Sequence, residues 1–213
     1  MSVFDDIRDV ARRAAYAAAL PNLLLFKSKP SKSFASRGNT KIDEIILHGT
    51  ESKGTEEQSA SYVASAANSS HYFIGRTFGV AYSVVPEEMQ AFHAGNPKRH
   101  PGVQDHNARS IGIEMYQRDI SMFGGDASKL DWTDWQYETI AMLVYDIRRR
   151  RGIAADHVKG HVQVNSVDRA DPRRFDWVRH NRRVTELSRT LGRLLGPGFA
   201  IDLDLPSPRI LLP

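Results

Sequence analysis

The chain has 213 residues, 41% of them hydrophobic and 25% charged, a balance that is ordinary for a globular domain with its own core. It contains no cysteine, which excludes disulfides, thiolate nucleophiles and cysteine-ligated metal sites. A net charge of +4 favours anionic surroundings such as nucleic acid, anionic lipid or a cell wall, without selecting among them. No run of about 18 apolar residues occurs, so we expect no membrane-spanning helix.

Residues 1–39 are predicted to form a helical extension and a linker. Apolar side chains recur at helical spacing over 3–20, which predicts an amphipathic helix that packs on its own domain or on a partner, with a membrane surface as the alternative. Acidic residues precede the apolar stretch at 14–26 and no small-x-small cleavage site follows it, so we expect cytoplasmic synthesis without a cleaved signal. Residues 28–40 are rich in serine, lysine, glycine and proline, which is typical of a linker.

Residues 40–195 are predicted to form a single domain in which strands alternate with helices. The patterns predict a buried strand at 41–48, a helix at 56–67, a hairpin of strands at 71–74 and 80–85, and a further strand at 111–116. A long loop at 90–109 carries three histidines, and loops of this kind often bind ligands. This order of elements predicts an α/β fold with a central mixed sheet flanked by helices.

Two helices are predicted in the last third of the chain. The first follows a Thr133 cap and runs to Arg151, with five residues toward the core: Trp135, Ile140, Leu143, Val144 and Ile147. The arginines at 148–151 suit its C-terminal end, before Gly152; a nucleic-acid patch is the alternative. The second helix spans 178–195, and 196–213 is a tail containing glycine and proline.

Two histidines and one aspartate stand at predicted ends of elements. His48 closes the strand at 41–48, His161 follows Gly160, and Asp171 precedes Pro172. Taken singly, each histidine is also compatible with a core or turn role, and the aspartate with a turn. Together they supply two imidazoles and a carboxylate, a set suited to a catalytic zinc that keeps one position open for water.

Five separated motifs carry a family resemblance over about residues 41–183. In chain order they are Ile46-Leu47-His48-Gly49-Thr50, Ser70-His71-Tyr72-Phe73-Ile74, Ala91-Phe92-His93-Ala94-Gly95, Asn107 with Ser110-Ile111-Gly112-Ile113-Glu114, and Gly160-His161 with Asp171-Pro172 and Phe175-Asp176-Trp177. The chain resembles the zinc-dependent N-acetylmuramoyl-L-alanine amidases of the type 2 amidase superfamily, which includes the peptidoglycan recognition proteins. The five motifs occur in the same order as in that family, and this order together with the ten-residue interval from His161 to Asp171 makes the resemblance specific.

The resemblance implies a role for each candidate site residue. It implies one zinc per chain, held by His48, His161 and Asp171, with a peptidoglycan or muropeptide substrate and action on the bacterial cell wall. Glu114 would orient or deprotonate the attacking water, and Arg169, where the family commonly has lysine, would stabilise the oxyanion. Substrate contacts would come from His71 and His93, which match family positions lining the cleft, and from Asn107, for which a turn-stabilising role is the alternative.

Two other functions are compatible with parts of the sequence. A non-catalytic peptidoglycan-binding module of the same fold is the first, but binding-only relatives often lack the third zinc ligand, and this chain retains Asp171 and Glu114. A nucleic-acid-associated protein is the second, and it rests on arginine pairs without a recognised readout motif. We therefore predict an amide hydrolase that does not act on nucleic acid.

Overall fold

A computed structural model describes residues 24–65, 67–77, 79–95, 105–165 and 169–195. The helix predicted at 3–20 and the tail at 196–213 lie outside these described ranges. Among the helices within them, none combines the length and apolar character that a bilayer span requires.

Six strands form one mixed sheet in the order β1-β5-β4-β7-β3-β8. Neighbours run parallel except for β4 and β5, which pair antiparallel as the predicted hairpin requires. A second sheet joins β2 to β6. The strands are β1 Leu25–Ser28, β2 Phe34–Ser36, β3 Glu44–Gly49, β4 Tyr72–Ile74, β5 Val80–Ser83, β6 Met89–Ala91, β7 Ser110–Met115 and β8 Val158–Gly160.

Within the described residues, four α-helices accompany the sheet: α1 Glu56–Ser65, α2 Asp134–Arg151, α3 His161–Val164 and α4 Trp177–Leu195. The long helices α2 and α4 bury their apolar sides with Ile45, Leu47 and Ile113 in the larger core cluster. The α1 residues Ala60 and Val63 pack with Phe73 in a second cluster. Helices therefore cover both faces of the central sheet, and the predicted α/β fold is confirmed.

The helix predicted from the Thr133 cap is present and ends where expected. The Thr133 side chain accepts from the Gln136 backbone N–H while Gln136 reaches back to the Thr133 backbone, which makes a reciprocal capping box. Gly152 ends α2 in the left-handed conformation. One predicted core residue was wrong: Trp135 lies in the first turn and is 51% exposed.

The linker prediction for residues 28–40 was wrong. Ser28 is the last residue of β1, where it pairs with Ser83 of β5, and β2 at 34–36 pairs with β6, so this segment contacts both sheets. Ser31 and Arg37 are buried within it. Composition suggested a linker because serine and lysine are common in loops, whereas the order here comes from contacts with residues distant in the chain.

Arg37 ties this segment to the two loops that flank β7 and β6. Its guanidinium donates to the backbone carbonyls of Glu87 at 2.9 Å, Asn107 at 3.2 Å, Ala108 at 2.5 Å and Ser110 at 3.0 Å. Burial is the largest influence on it and lowers its pKa to about 10, so it stays charged at neutral pH. A buried cation that satisfies four carbonyls is expected to contribute strongly to folding.

We expect Arg37→Ala to lower the free energy of unfolding by about 3 kcal/mol, because four backbone carbonyls, three of them in buried hydrogen bonds, lose a charged donor. Arg37→Lys should recover only part of this loss, since one ammonium cannot reach four acceptors held by a planar fork. Urea denaturation followed by circular dichroism measures both values. A loss below about 1 kcal/mol for the alanine variant would show that the carbonyls find other partners.

The arginine cluster at 148–151 is engaged in pairs with carboxylates and backbone. Arg150 and Arg151 both bond to Glu87, at 2.8 Å from Arg150 Nη2 and 2.6 Å from Arg151 Nη2. Arg149 pairs with Asp146 at 3.6 Å, and buried Arg148 donates from Nε to the Ile153 carbonyl. This arrangement fits a helix-terminal cluster better than an open surface for nucleic acid.

His180 is buried on α4 beside Phe175 and Trp177, and neither ring nitrogen has a hydrogen-bond partner. Burial, aided by the charge of Arg148, lowers its pKa to about 3. The pKa of a histidine in the unfolded chain is near 6.5, so below pH 6.5 the unfolded chain binds a proton at His180 that the folded chain does not. The free energy of unfolding therefore has its full value, as far as this group is concerned, above pH 6.5 and decreases as the pH falls toward 3.

At pH 5 the loss from this one group should reach about 2 kcal/mol relative to neutral pH. His180→Leu should flatten the fall in stability between pH 7 and pH 5 and should raise stability at pH 5. Denaturant titrations of both proteins at several pH values measure this difference. An unchanged pH slope in the variant would mean that His180 is protonated in the folded state.

Candidate active site

The parallel pairing of β3 with β7 sets His48 beside Glu114 at the end of the sheet where both strands finish. Side chains alternate between the faces of a strand, so Ile45 and Leu47 enter the larger core while His48 points to the other face. On β7, Ile111 and Ile113 follow the same rule. A zinc-ligand candidate and the candidate base therefore share one face.

His161 reaches the same place from β8. Gly160 is paired with Leu47 of β3, and α3 begins at the next residue, which is His161. Asp171 is held against this turn because its backbone carbonyl accepts from the Val162 N–H at 3.0 Å. Its carboxylate also accepts from the Gly49 N–H at 3.3 Å.

The three candidate ligands converge on one point. His48 Nδ1 lies 3.5 Å from Asp171 Oδ2, and His161 Nδ1 lies 3.2 Å from Asp171 Oδ1. One potential ligand atom from each residue lies within 4.8 Å of the others, and all three residues are buried. Residues separated by up to 123 positions in the chain thus form a cluster that could hold a metal ion.

The surroundings favour the protonation states that metal ligands need. Burial, reinforced by the His161 charge, lowers the pKa of His48 to about 4, so its imidazole is neutral at pH 7. Burial alone would raise the pKa of Asp171, but the hydrogen bond with His161 and the adjacent His48 imidazole outweigh it and hold that pKa well below the usual range. A neutral imidazole beside a carboxylate is a suitable donor set for a divalent cation.

Glu114 has the environment of a carboxylate that exchanges protons near neutral pH. Burial, followed by the charge of Asp171, raises its pKa to about 8. Its Oε2 atom is enclosed and has no hydrogen-bond partner. A perturbed carboxylate beside a potential metal cluster is a strong candidate for acid–base chemistry.

Arg169 lies two residues before Asp171 and is exposed. Its positive charge lowers the pKa of both His48 and Glu114, although it is a lesser influence than burial on each. The guanidinium therefore acts electrostatically on the two sides of the candidate site.

The structure does not bring His71 to the surface of the site. Its exposed fraction is 0%, and its Nδ1 accepts from the Gly112 N–H at 2.9 Å. Its Nε2 lies 3.0 Å from the Met89 carbonyl and also contacts Arg37. The predicted substrate contact at His71 was therefore wrong, because the ring is enclosed and ties β7 to the preceding strands.

His93 and Asn107 lie next to the cluster but use their polar atoms internally. His93 is 8% exposed, and its Nδ1 lies 3.0 Å from His48 Nε2. Asn107 Oδ1 accepts from the backbone N–H groups of His93 at 2.9 Å and Ala94 at 2.7 Å, and its Nδ2 donates to Gly95. His93 therefore supports His48, Asn107 holds the backbone that carries His93, and a direct contact of either residue with substrate stays a prediction.

Two residues that contact or make room for His93 were not predicted from the sequence as part of the site. Ser110 Oγ lies 3.2 Å from His93 Nε2, and Gly112 provides the space that the His93 ring occupies. A Cβ atom on Gly112 would stand 2.5 Å from His93 Cγ. The available signal was a glycine inside an otherwise apolar strand, which often marks the close approach of another group.

A family model described as N-acetylmuramoyl-L-alanine amidase matches residues 38–174. The chain belongs to this family. The match begins one residue after Arg37 and contains all three residues of the potential metal cluster together with Glu114 and Arg169.

Two curated relatives carry the name 1,6-anhydro-N-acetylmuramyl-L-alanine amidase AmpD. The protein from Citrobacter freundii is 31% identical over 121 residues, which are 56% of this chain and 59% of the relative. The protein from Salmonella typhimurium is 31% identical over 112 residues, which are 52% of this chain and 54% of the relative. The chain thus matches a little over half the length of these amidases.

Solved structures of similar fold cover more of the chain at lower identity. An AmpD crystal structure has a TM-score of 0.58 at 22% identity, covering 77% of this chain and 96% of that one. The solution structure of the PlyG catalytic domain has a TM-score of 0.55 at 19% identity, covering 79% of this chain and 96% of that one. The structure of AmiD from E. coli has a TM-score of 0.54 at 21% identity, covering 72% of this chain and 60% of that one. These likenesses support the amidase fold.

Proposed function

We propose that this protein is a zinc-dependent amidase that hydrolyses the amide bond between N-acetylmuramic acid and L-alanine in peptidoglycan or muropeptides. The observation that carries the proposal is the convergence of His48, His161 and Asp171 beside Glu114. Membership of the amidase family and the names of the curated relatives support the choice of bond.

The donor set fits zinc. Ligand atoms about 2.0–2.2 Å from a tetrahedral zinc lie roughly 3.3–3.6 Å from one another. His48 Nδ1 lies 3.5 Å from Asp171 Oδ2 and His161 Nδ1 lies 3.2 Å from Asp171 Oδ1, so each imidazole stands at about that spacing from one of the two carboxylate oxygens. Nitrogen and oxygen donors suit zinc, and three protein ligands leave a position open for catalysis. We propose one zinc per chain at these residues.

The chemistry divides between the ion and the residues around it. A bound zinc supplies Lewis acidity toward a water molecule and the scissile carbonyl. Glu114 accepts the proton that the attacking water loses and can deliver it to the leaving amine, since its pKa of about 8 allows both forms near neutral pH. Arg169 stabilises the negative charge that develops on the carbonyl oxygen.

The relatives also support a muropeptide-like substrate. AmiD from E. coli was solved as a complex with the substrate anhydro-N-acetylmuramic acid-L-Ala-D-gamma-Glu-L-Lys. A chain of the same fold could accept the same junction of sugar, lactyl group and peptide. A peptidoglycan-binding module is the alternative, and the enclosed Oε2 atom of Glu114, which has no hydrogen-bond partner, favours catalysis over binding alone.

Arg169 departs from the lysine expected by resemblance, and its variants test the role of charge. We expect Arg169→Ala to lower kcat by roughly 10–100-fold, because one oxyanion-stabilising cation is lost. Arg169→Lys should retain most of the rate because the positive charge remains, although the planar guanidinium is lost. Steady-state kinetics on a soluble muropeptide measure both. Equal losses in the two variants would indicate that guanidinium shape, and not charge alone, is required.

Product identification tests the proposed bond. Purified protein with zinc is incubated with peptidoglycan and, separately, with a soluble muropeptide, and the products are analysed by mass spectrometry. The proposal predicts peptides that begin with L-alanine and muramic acid products free of peptide. Cleavage at a peptide bond within the stem, or binding without cleavage, would contradict it. The two substrates also separate action on the polymer from action on small fragments.

A further inference from the structure

Behind the proposed metal ligand His48 lies a continuous line of polar groups. His48 Nε2 is 3.0 Å from His93 Nδ1, and His93 Nε2 is 3.2 Å from Ser110 Oγ. The Ser110 hydroxyl is in turn 2.5 Å from the backbone carbonyl of His106. We call these four groups the histidine chain. All of them are buried, so water does not compete along it.

The direction of hydrogen donation along this chain follows from its last member. A carbonyl oxygen can only accept, so the Ser110 hydroxyl gives its hydrogen to His106. Ser110 Oγ then accepts from His93 Nε2–H, which leaves His93 Nδ1 as an acceptor. His93 Nδ1 therefore accepts from His48 Nε2–H.

The opposite direction would end on Asp171. It needs His48 Nδ1–H to donate to the carboxylate at 3.5 Å, and it leaves the Ser110 and His106 oxygens 2.5 Å apart without a hydrogen between them. An oxygen–oxygen distance of that size requires a hydrogen bond, whereas 3.5 Å is long for one. The geometry therefore selects the direction that ends on the His106 carbonyl.

We infer that His93 is a positioning residue that fixes His48 in the tautomer with hydrogen on Nε2 and a free lone pair on Nδ1. That lone pair faces Asp171 and is the one a metal shared with this carboxylate would use. The inference rests on the proposed zinc function, and it assigns His93 to the metal ligand in place of the substrate.

The protein holds His93 in place from both sides. Asn107 accepts from its backbone N–H at 2.9 Å, and Gly112 leaves the room that the ring fills. A ring held in this way loses little further freedom when it accepts from His48. Outer partners of metal-bound histidines typically raise metal affinity by about 10–100-fold.

The first test measures tautomers in the metal-free wild-type protein. Nitrogen-15 spectra of the imidazoles at pH 7.5 should show His48 and His93 with hydrogen mainly on Nε2. A main His48 species with hydrogen on Nδ1 would overturn the inference. This measurement needs no zinc, so it stands even if the proposed function fails.

The second test measures zinc affinity by chelator competition. His93→Phe keeps a planar ring without an acceptor and should weaken zinc binding about 10–100-fold. His93→Asn places Oδ1 near the original Nδ1 and should restore most of the affinity. His180→Leu, which removes a buried histidine on α4, is the matched control and should bind zinc as the wild type does.

The outcomes separate the inference from the proposed function. A wild-type protein that binds no zinc contradicts the function, whereas tight wild-type binding with unchanged affinity in His93→Phe contradicts the inference. Equal weakening in His93→Phe and His93→Asn would show that ring shape, and not the acceptor, matters. If His93→Phe does not fold, Ser110→Ala replaces it, and an unchanged zinc affinity there overturns the proposed chain.

Discussion

Glu114→Gln is expected to lower kcat by about 10²–10⁴-fold while zinc content stays at the wild-type value. Glutamine has nearly the same size as glutamate but cannot accept the proton of the attacking water. The residue also lies outside the potential metal cluster, so its loss should leave the ligands in place. Steady-state kinetics on a soluble muropeptide, with zinc measured on the same samples, test this expectation.

The matched control is Glu186→Gln, which removes a surface carboxylate on α4 paired with Arg183. It should leave both kcat and zinc content unchanged. A Glu114→Gln variant that keeps a rate within about threefold of wild type would exclude a proton-transfer role. Loss of zinc in that variant would assign Glu114 to the metal instead.

His161→Ala is expected to abolish turnover because it removes zinc. Two remaining ligands hold the ion far more weakly than three, and we expect affinity to fall by more than the roughly 100-fold typical of losing an outer partner. The same change removes a hydrogen-bond partner of Asp171. Metal analysis after gel filtration and kinetics with added zinc measure the two effects.

His157→Ala is the control for this change. His157 lies four residues earlier and contacts the backbone carbonyl of Asp43 at 2.8 Å, outside the cluster of His48, His161 and Asp171. It should retain zinc and activity. Zinc bound at the wild-type level by His161→Ala would place the metal at other residues.

The central sheet could be predicted because its strands carry strong local patterns. Ile45, Ile46 and Leu47 form a continuous apolar run, and this is typical of a parallel strand covered on both faces. The cap at Thr133 and the stop at Gly152 bounded α2 by local chemistry alone. Strands β1 and β2 could not be predicted in this way, since their order depends on pairing with distant strands.

The residues of the candidate site could be predicted from the sequence, but which of them face the cleft and which lie behind it could not. His48, His161 and Asp171 come together as their motif order indicated. His71 carries the same kind of signal, yet its ring is enclosed by Arg37, Met89 and Gly112. Residue type and position cannot distinguish a histidine that faces the cleft from one behind it, because that depends on the register between strands.

The histidine chain behind His48 depends on the same register. Pairing of Ile46 with Gly112 leaves an unfilled space on the sheet, and His93 from a separate loop enters it. No local pattern links residue 93 to residue 112. The sequence therefore indicates the candidate ligands, while the structure adds the residues that contact one of them from behind.

The most direct test of the account is zinc reconstitution of the metal-free protein. Protein stripped by a chelator, and checked for residual metal, is assayed on a soluble muropeptide before and after titration with zinc. A zinc-dependent enzyme should show no hydrolysis without metal and a recovery that saturates at about one zinc per chain. Full hydrolysis by the metal-free protein would contradict a zinc site at His48, His161 and Asp171.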